Sequence, residues 1–269
     1  MTIARKTWFV IALFAMAVSQ SASAVNIADD YWGNTPLVCD PAASACDVVG
    51  EPNDFDISSM DVSLSGDYLT VTINTNFSGA KNGTLDAYFG DLFLASAWTP
   101  DETDANYAAD DNVTGTKWTY GFALDNRNVT SGLVSGTTVN GITTGDGDLY
   151  ALTGSSNDAN AYLSDDFFDA GYREGQEAVV DVGSLATVDG PASPIGAGTW
   201  ETATGYITFV IDVSGTTLSM ADGIALHWAM TCANDVIEGF VPAPGVLLLM
   251  AMGLFGVGAS SKLRKRKLA

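Results

Sequence analysis

An alternation with period two constrains this chain more than any other feature of its sequence. Val62 and Leu64 alternate with polar residues, Ser65-Gly66-Asp67 supplies a turn, and Leu69, Val71, Ile73 and Phe77 resume on one face with Thr70, Thr72 and Asn74 opposite. Trp118, Tyr120, Phe122 and Leu124 share parity, as do Ile207, Phe209, Ile211 and Val213, and then Ile224, Leu226, Trp228 and Met230. Successive side chains of a strand point to opposite faces, so each run describes a strand with one buried side. Residues 90–94 and 148–152 read as shorter strands. Many short strands separated by Gly, Ser, Asn and Asp turns predict an all-β fold, an antiparallel β-sandwich of jelly-roll-like form. Residues 155–194, with their several Gly and Asp, predict long loops and one short helix near Asp165–Phe168.

The charge is as lopsided as the pattern is regular. All 32 acidic residues lie between Asp29 and Glu238, where Lys81, Lys117, Arg127 and Arg173 are the only bases. That stretch therefore carries −28, against −21 for the whole chain. Such a field repels phosphate backbones and anionic lipid, which argues against nucleic acid or a membrane surface as a partner of this part. It favours cations, Ca²⁺ among them, and solubility in salt.

The two ends differ from the middle. Arg5 and Lys6 precede the apolar run Trp8–Val18, and Ala22-Ser23-Ala24 follows. A charged start, a short apolar stretch and a small-x-small site describe a secretory signal peptide over residues 1–24, cut after Ala24. A core helix or a retained anchor would need a longer run or no cleavage site. At the other end, Val241-Pro242-Ala243-Pro244 leads into the apolar run Val246–Ala259, and Lys262, Arg264, Lys265, Arg266 and Lys267 follow. The run is shorter than the roughly 20 residues of a comfortable span, and the cations predict that this end stays cytoplasmic.

A proline-containing motif, a hydrophobic helix and a basic end, in that order, resemble the PEP-CTERM sorting signal of Gram-negative bacteria. The resemblance covers residues 241–269, with Ala243 where the family usually carries glutamate. It implies a precursor held transiently in the inner membrane, processed by an exosortase-like protease, and a mature form at the cell surface or outside it. Residues 25–240 would be the exported domain. Asp54-Phe55-Asp56-Ile57, the hairpin after it, residues 90–94 and His227-Trp228 resemble domains of such exported proteins, and the sandwich resembles carbohydrate-binding modules.

Export also bears on the three cysteines, since disulfides form in oxidising compartments. Cys39 and Cys46 frame a short loop and are the favoured pair, leaving Cys232 free and buried. Pairing of Cys232 with either of the others, which would instead staple the two ends of the domain, is the alternative. For chemistry, the one histidine, His227, has no partner motif, which leaves a structural or solvent-facing role. Dozens of carboxylates offer no distinctive catalytic pair. The chain reads as a non-enzymatic protein that needs no cofactor, with Ca²⁺ the one ligand its acidic loops suggest. Acidic pairs at Asp54/Asp56, Asp101/Asp104, Asp110/Asp111, Asp146/Asp148 and Asp165/Asp166 offer hard oxygen ligands, and Asp146 with Asp148 is the metal site expected. Trp32, Trp98, Tyr107, Trp200 and Tyr206 lie off the core parity, where a ring could stack on a sugar. The functional expectation is a cell-surface or exopolysaccharide-matrix protein. A module recognising a specific glycan is the alternative, and a glycoside-active enzyme comes third.

Overall fold

The computed structural model describes residues 24–29, 48, 51–81, 87–101, 113–127, 134–153, 160–167, 175–185, 191–218 and 223–242. Its strands are β1 (Val25–Ala28), β2 (Ile57–Ser65), β3 (Tyr68–Thr75), β4 (Ala80–Lys81), β5 (Ala87–Ala95), β6 (Tyr120–Leu124), β7 (Thr137–Val139), β8 (Ile142–Ala151), β9 (Ala161–Leu163), β10 (Glu177–Val180), β11 (Gly196–Ala203), β12 (Tyr206–Asp212), β13 (Gly223–Met230) and β14 (Val236–Pro242). Two single-turn helices, α1 (Pro52–Phe55) and α2 (Ser164–Phe167), complete the described elements. The expected short helix is present one residue earlier than its sequence signal, and the stretch read as loops also holds β9 and β10.

The all-β, antiparallel expectation holds, with a different closure. Hydrogen bonding joins the main strands into one sheet in the order β1-β2-β3-β12-β11-β8-β6-β5-β13-β14, with β4 on β5 and β7 on β8. This sheet curls into a nearly closed barrel where two facing sheets were expected. The ends meet where Ile27 of β1 lies against Gly239 of β14: a Cβ on that glycine would sit 2.6 Å from the Ile27 Cγ2. Continuity comes from two long ladders between strands distant in sequence, β3 with β12 and β8 with β11, each of seven residue pairs.

Glycine and aromatic residues explain how the wall bends. The inward positions of β8 and β11 include Gly145, Gly147 and Gly198, opposite large rings. Cβ atoms there would stand 2.5 Å from Trp200 Nε1, 2.6 Å from Phe122 Cζ and 2.9 Å from Phe122 Cε2, respectively. The missing side chains let backbone approach ring, which is a recognised use of strand glycine at tight bends. The interior holds Met60, Leu69, Val71, Ile73, Phe77, Phe122, Ile207, Phe209, Ile211, Leu226 and Trp228, all at 2% exposure or less. Most are the period-two residues of the sequence pattern.

The barrel has an open half and a covered half. On β2, β3 and β12 buried and accessible residues alternate. On β5 and β13 every residue is buried, because their outer faces are covered as well. The cover is the β9–β10 ribbon, hydrogen-bonded only within itself as a sheet. Beneath it Phe93, Ala95, Trp118, Ala123, Tyr150, Val180 and Ala225 form a second apolar cluster.

Candidate functional site

The charged groups of the covered half are buried and interlocked. Between Trp228 and Met230 the β13–β5 register slips, so that Leu92 and Phe89 are their partners and β5 carries one extra residue. A bulge of this kind re-aims a side chain. Here it turns Phe89 inward against Phe77, Trp200 and Trp228, while Asp91 keeps the outward parity of Phe93 and lies beneath the cover, at 1% exposure. One Asp91 oxygen accepts from Leu124 N at 3.0 Å and Arg127 Nη2 at 2.6 Å, and the other accepts from Val180 N at 2.8 Å. Arg127 also donates to the Phe89 carbonyl at 2.8 Å. One carboxylate thus ties β5, the end of β6, the following turn and β10 together.

A second cluster centres on His227, which is fully buried. Alternation sends Leu226 and Trp228 into the barrel and His227 to the outer face, as their parity required, but the cover keeps it from solvent. Glu238 of β14, its register partner, places Oε2 at 3.2 Å from Nδ1, and the Glu177 carbonyl of β10 lies 2.8 Å from Nε2. The other Glu238 oxygen accepts from Trp98 Nε1 at 2.6 Å and Thr116 Oγ1 at 3.2 Å. Phe93 and Trp118 flank the imidazole, with ring centroids at 5.9 and 5.4 Å. Burial by itself would lower the histidine pKa. The Glu238 hydrogen bond and the negative charges of Glu177 and Glu238 outweigh it and raise the pKa above its ordinary value.

The open half offers different chemistry. Register places Asp61, Thr72, Thr208, Glu201, Thr144 and Thr137 in one row across six strands. None of β2, β3, β7, β8, β11 or β12 contains a lysine or arginine. A shallow cleft of ≈ 540 Å³ runs over this face past Asp146, Thr199, Glu201 and Thr208. Asp146 and Asp148 of β8 both lie on it, Asp146 exposed and Asp148 half-buried. Asp125 joins them from the turn after β6: its amide donates to the Asp146 carbonyl at 3.0 Å. Partial burial, then the charges of Asp148 and Asp146, push the Asp125 carboxyl above its usual range. Tyr150 is raised as well, by burial and then by Asp148 and Asp125. Among the described residues, no group of three or more His, Cys, Asp or Glu side chains converges as metal ligands would.

The other sequence candidates scatter. Asp56 is raised by partial burial beside α1, and Asp166 accepts a 2.8 Å bond from Leu163 N. Trp200 is interior, at 3% exposure, and Trp98 is committed to Glu238, which leaves Tyr206 on the open face beside Glu201. Trp32, Tyr107, Asp104, Asp110, Asp111, Cys39 and Cys46 lie outside the described residues, and Cys232 is buried. Val241 and Pro242 end β14, paired with Ile224 and Gly223, while Ala243, Pro244 and the apolar run beyond lie outside the described residues. Among the described residues, no helix is long and apolar enough to cross a membrane.

Asp91, Glu177 and Glu238 had no part in the sequence candidates. For Asp91 a signal was present: it stands within residues 87–95, which are apolar on both parities and so mark a strand covered on both sides. A charge inside such a run has to be paired or hydrogen-bonded. Comparison with protein-family models, curated proteins and solved structures finds no match.

Proposed function

We propose that this chain is an exported, non-enzymatic component of the cell surface or exopolysaccharide matrix, delivered by a PEP-CTERM-like tail. The observation that carries the reading is the division of labour among its polar groups. The one histidine and the buried Asp91–Arg127 pair are engaged in holding the cover on the barrel. The strands of the open face, β2, β3, β7, β8, β11 and β12, present threonine hydroxyls and carboxylates and contain no lysine or arginine. Such a face is suited to hydration and to gathering cations, Ca²⁺ at Asp146 and Asp148 included, between chains of a hydrated polymer.

A second reading, a carbohydrate-binding module, is favoured by Tyr68, which is 57% exposed, and by Tyr206 with Glu201 on the same face. Mass spectrometry of the released protein tests the first. The expected mature form lacks Lys262–Lys267, and replacing the five cations there with Gln leaves precursor behind. A released protein that keeps those residues would overturn the sorting step. Retention of one glycan class on an array, in salt and chelator, would favour the second reading.

A further inference from the structure

We propose that the β9–β10 ribbon is a pH-sensitive flap, hinged at Asp91 and latched by His227 in its imidazolium form. The argument begins with hydrogen-bond counting. Both ring nitrogens face acceptors, the Glu238 carboxylate on Nδ1 and the Glu177 carbonyl on Nε2. A neutral imidazole donates from one nitrogen only and turns a lone pair from the other. With Glu238 as the carboxylate, only the doubly protonated ring satisfies both contacts, and at zero exposure no water replaces a lost partner.

Among the described residues, the surroundings agree with a cation. β14 contributes Glu238 and β10 contributes Glu177, whose side chain is 4% exposed. β5 and the segment before β6 contribute Phe93 and Trp118, both uncharged. Asp91, further along the same face, is neutralised by Arg127.

Among the described residues, β10 hydrogen-bonds buried ionisable side chains of the barrel at two places. At its Glu177 end the carbonyl bonds His227. At its Val180 end the amide bonds Asp91, which is paired with Arg127. With its pKa raised on folding, His227 contributes stability that is complete below about 6.5, the value in an unfolded chain, and is lost as pH rises through the folded value. Deprotonation sets an imidazole lone pair against either Glu238 or the Glu177 carbonyl. The Glu177 end then lifts, while Val180 stays clamped, and Phe93 and Trp118 are uncovered.

Because the chain has a single histidine, ring-labelled histidine in the intact protein gives an unambiguous NMR titration. Both nitrogens are expected protonated at neutral pH, with a midpoint above the ordinary one. Amide exchange at Ala178 and its neighbours should rise about tenfold or more through that midpoint, in excess of intrinsic base catalysis, and Val180 should hold its protection. A ring carrying one proton throughout, or a titration that leaves exchange at the Glu177 end unchanged, would overturn the latch. His227→Gln should abolish the pH step. Should that variant not fold, Glu238→Gln should lower the midpoint, and an unmoved midpoint counts against the proposal.

Discussion

The covered and open halves of this barrel are built from the same antiparallel ladder, yet they read differently in sequence and hold different chemistry. β3 and β12 bury every second residue and leave threonines on the outside. β5 and β13 bury every residue, and their outer faces carry Asp91 and His227. The open half gets its stability from one apolar face, and its outer side is free to carry charge. In the covered half the polar groups of the outer face are desolvated, so each needs partners. The partners found there reach across elements: Asp91 joins four segments, and the His227–Glu238 pair joins β13, β14 and β10. A buried ionic group is therefore a better marker of how this fold is assembled than any carboxylate on its acidic surface.

The largest effect expected from breaking this contrast is at Asp91. Replacement by alanine leaves the Arg127 guanidinium in a site where its side chain is 5% exposed and strips acceptors from two buried amides. Removing one partner of a buried pair costs about 3–5 kcal/mol. On the open face, Thr208→Ala removes only the 2.9 Å hydroxyl contact with Thr72, worth about 1 kcal/mol or less. Denaturant midpoints of the two variants measure the difference. Equal losses would mean that the cover contributes nothing beyond an ordinary surface contact.

A smaller effect separates the two faces of a single strand. Gly198 of β11 points inward, where a Cβ would strike the Val210 carbonyl and stand 2.9 Å from the Phe122 ring. Gly198→Ala should cost about 1–3 kcal/mol by overpacking. Thr199, its outward neighbour, is exposed, and Thr199→Ala should stay within about 0.5 kcal/mol of the parent. Thermal melts of both variants test whether the open half is as tightly filled inside as it is bare outside.

The sequence made the open half legible and the covered half only partly so. Period-two parity picked out Val62, Leu69, Val71, Ile73, Ile207, Phe209 and Ile211, and all are buried in the barrel. One buried face is all that such a pattern encodes. Trp200 escaped it because the strand carrying it, Gly196–Ala203, places Gly196, Gly198 and Thr202 rather than apolar residues at its other inward positions. β10 escaped it because Glu177–Val180 is buried throughout, so no alternation survives. β14 was obscured by Glu238, Gly239 and Pro242, each a poor strand residue until its partner is known. The Asp146–Asp148 pair was visible in sequence, but the neighbour whose carboxyl it raises was not: Asp125 arrives through the β6–β8 ladder, which no local spacing records.

That acidic group supplies the smallest prediction and the one most sensitive to pH. Asp125 is exposed, and its carboxyl is raised by partial burial and by the charges of Asp148 and Asp146. The folded chain therefore holds this proton more tightly than the unfolded chain, whose aspartate titrates near 3.8. Stability from this group falls as pH rises from about 3.8 through the folded value, and above that window the penalty is constant. Asp125→Asn removes the ionisable group, so the variant should melt slightly higher than the parent at neutral pH. The difference should vanish below about pH 4, where the parent aspartate is protonated in both states. Asp148→Asn should narrow the same window from the other side and bring the Tyr150 hydroxyl back towards its ordinary range, readable by its absorbance on alkaline titration. Salt at physiological strength should shrink the Asp125→Asn difference, since exposed charges are screened over about 8 Å. It should leave the Asp91→Ala loss almost intact, because that pair is buried beneath the cover. An Asp125→Asn gain that survives salt and acid alike would have to come from something other than charge repulsion, and the open face would then no longer stand as the solvent-screened counterpart of the covered one.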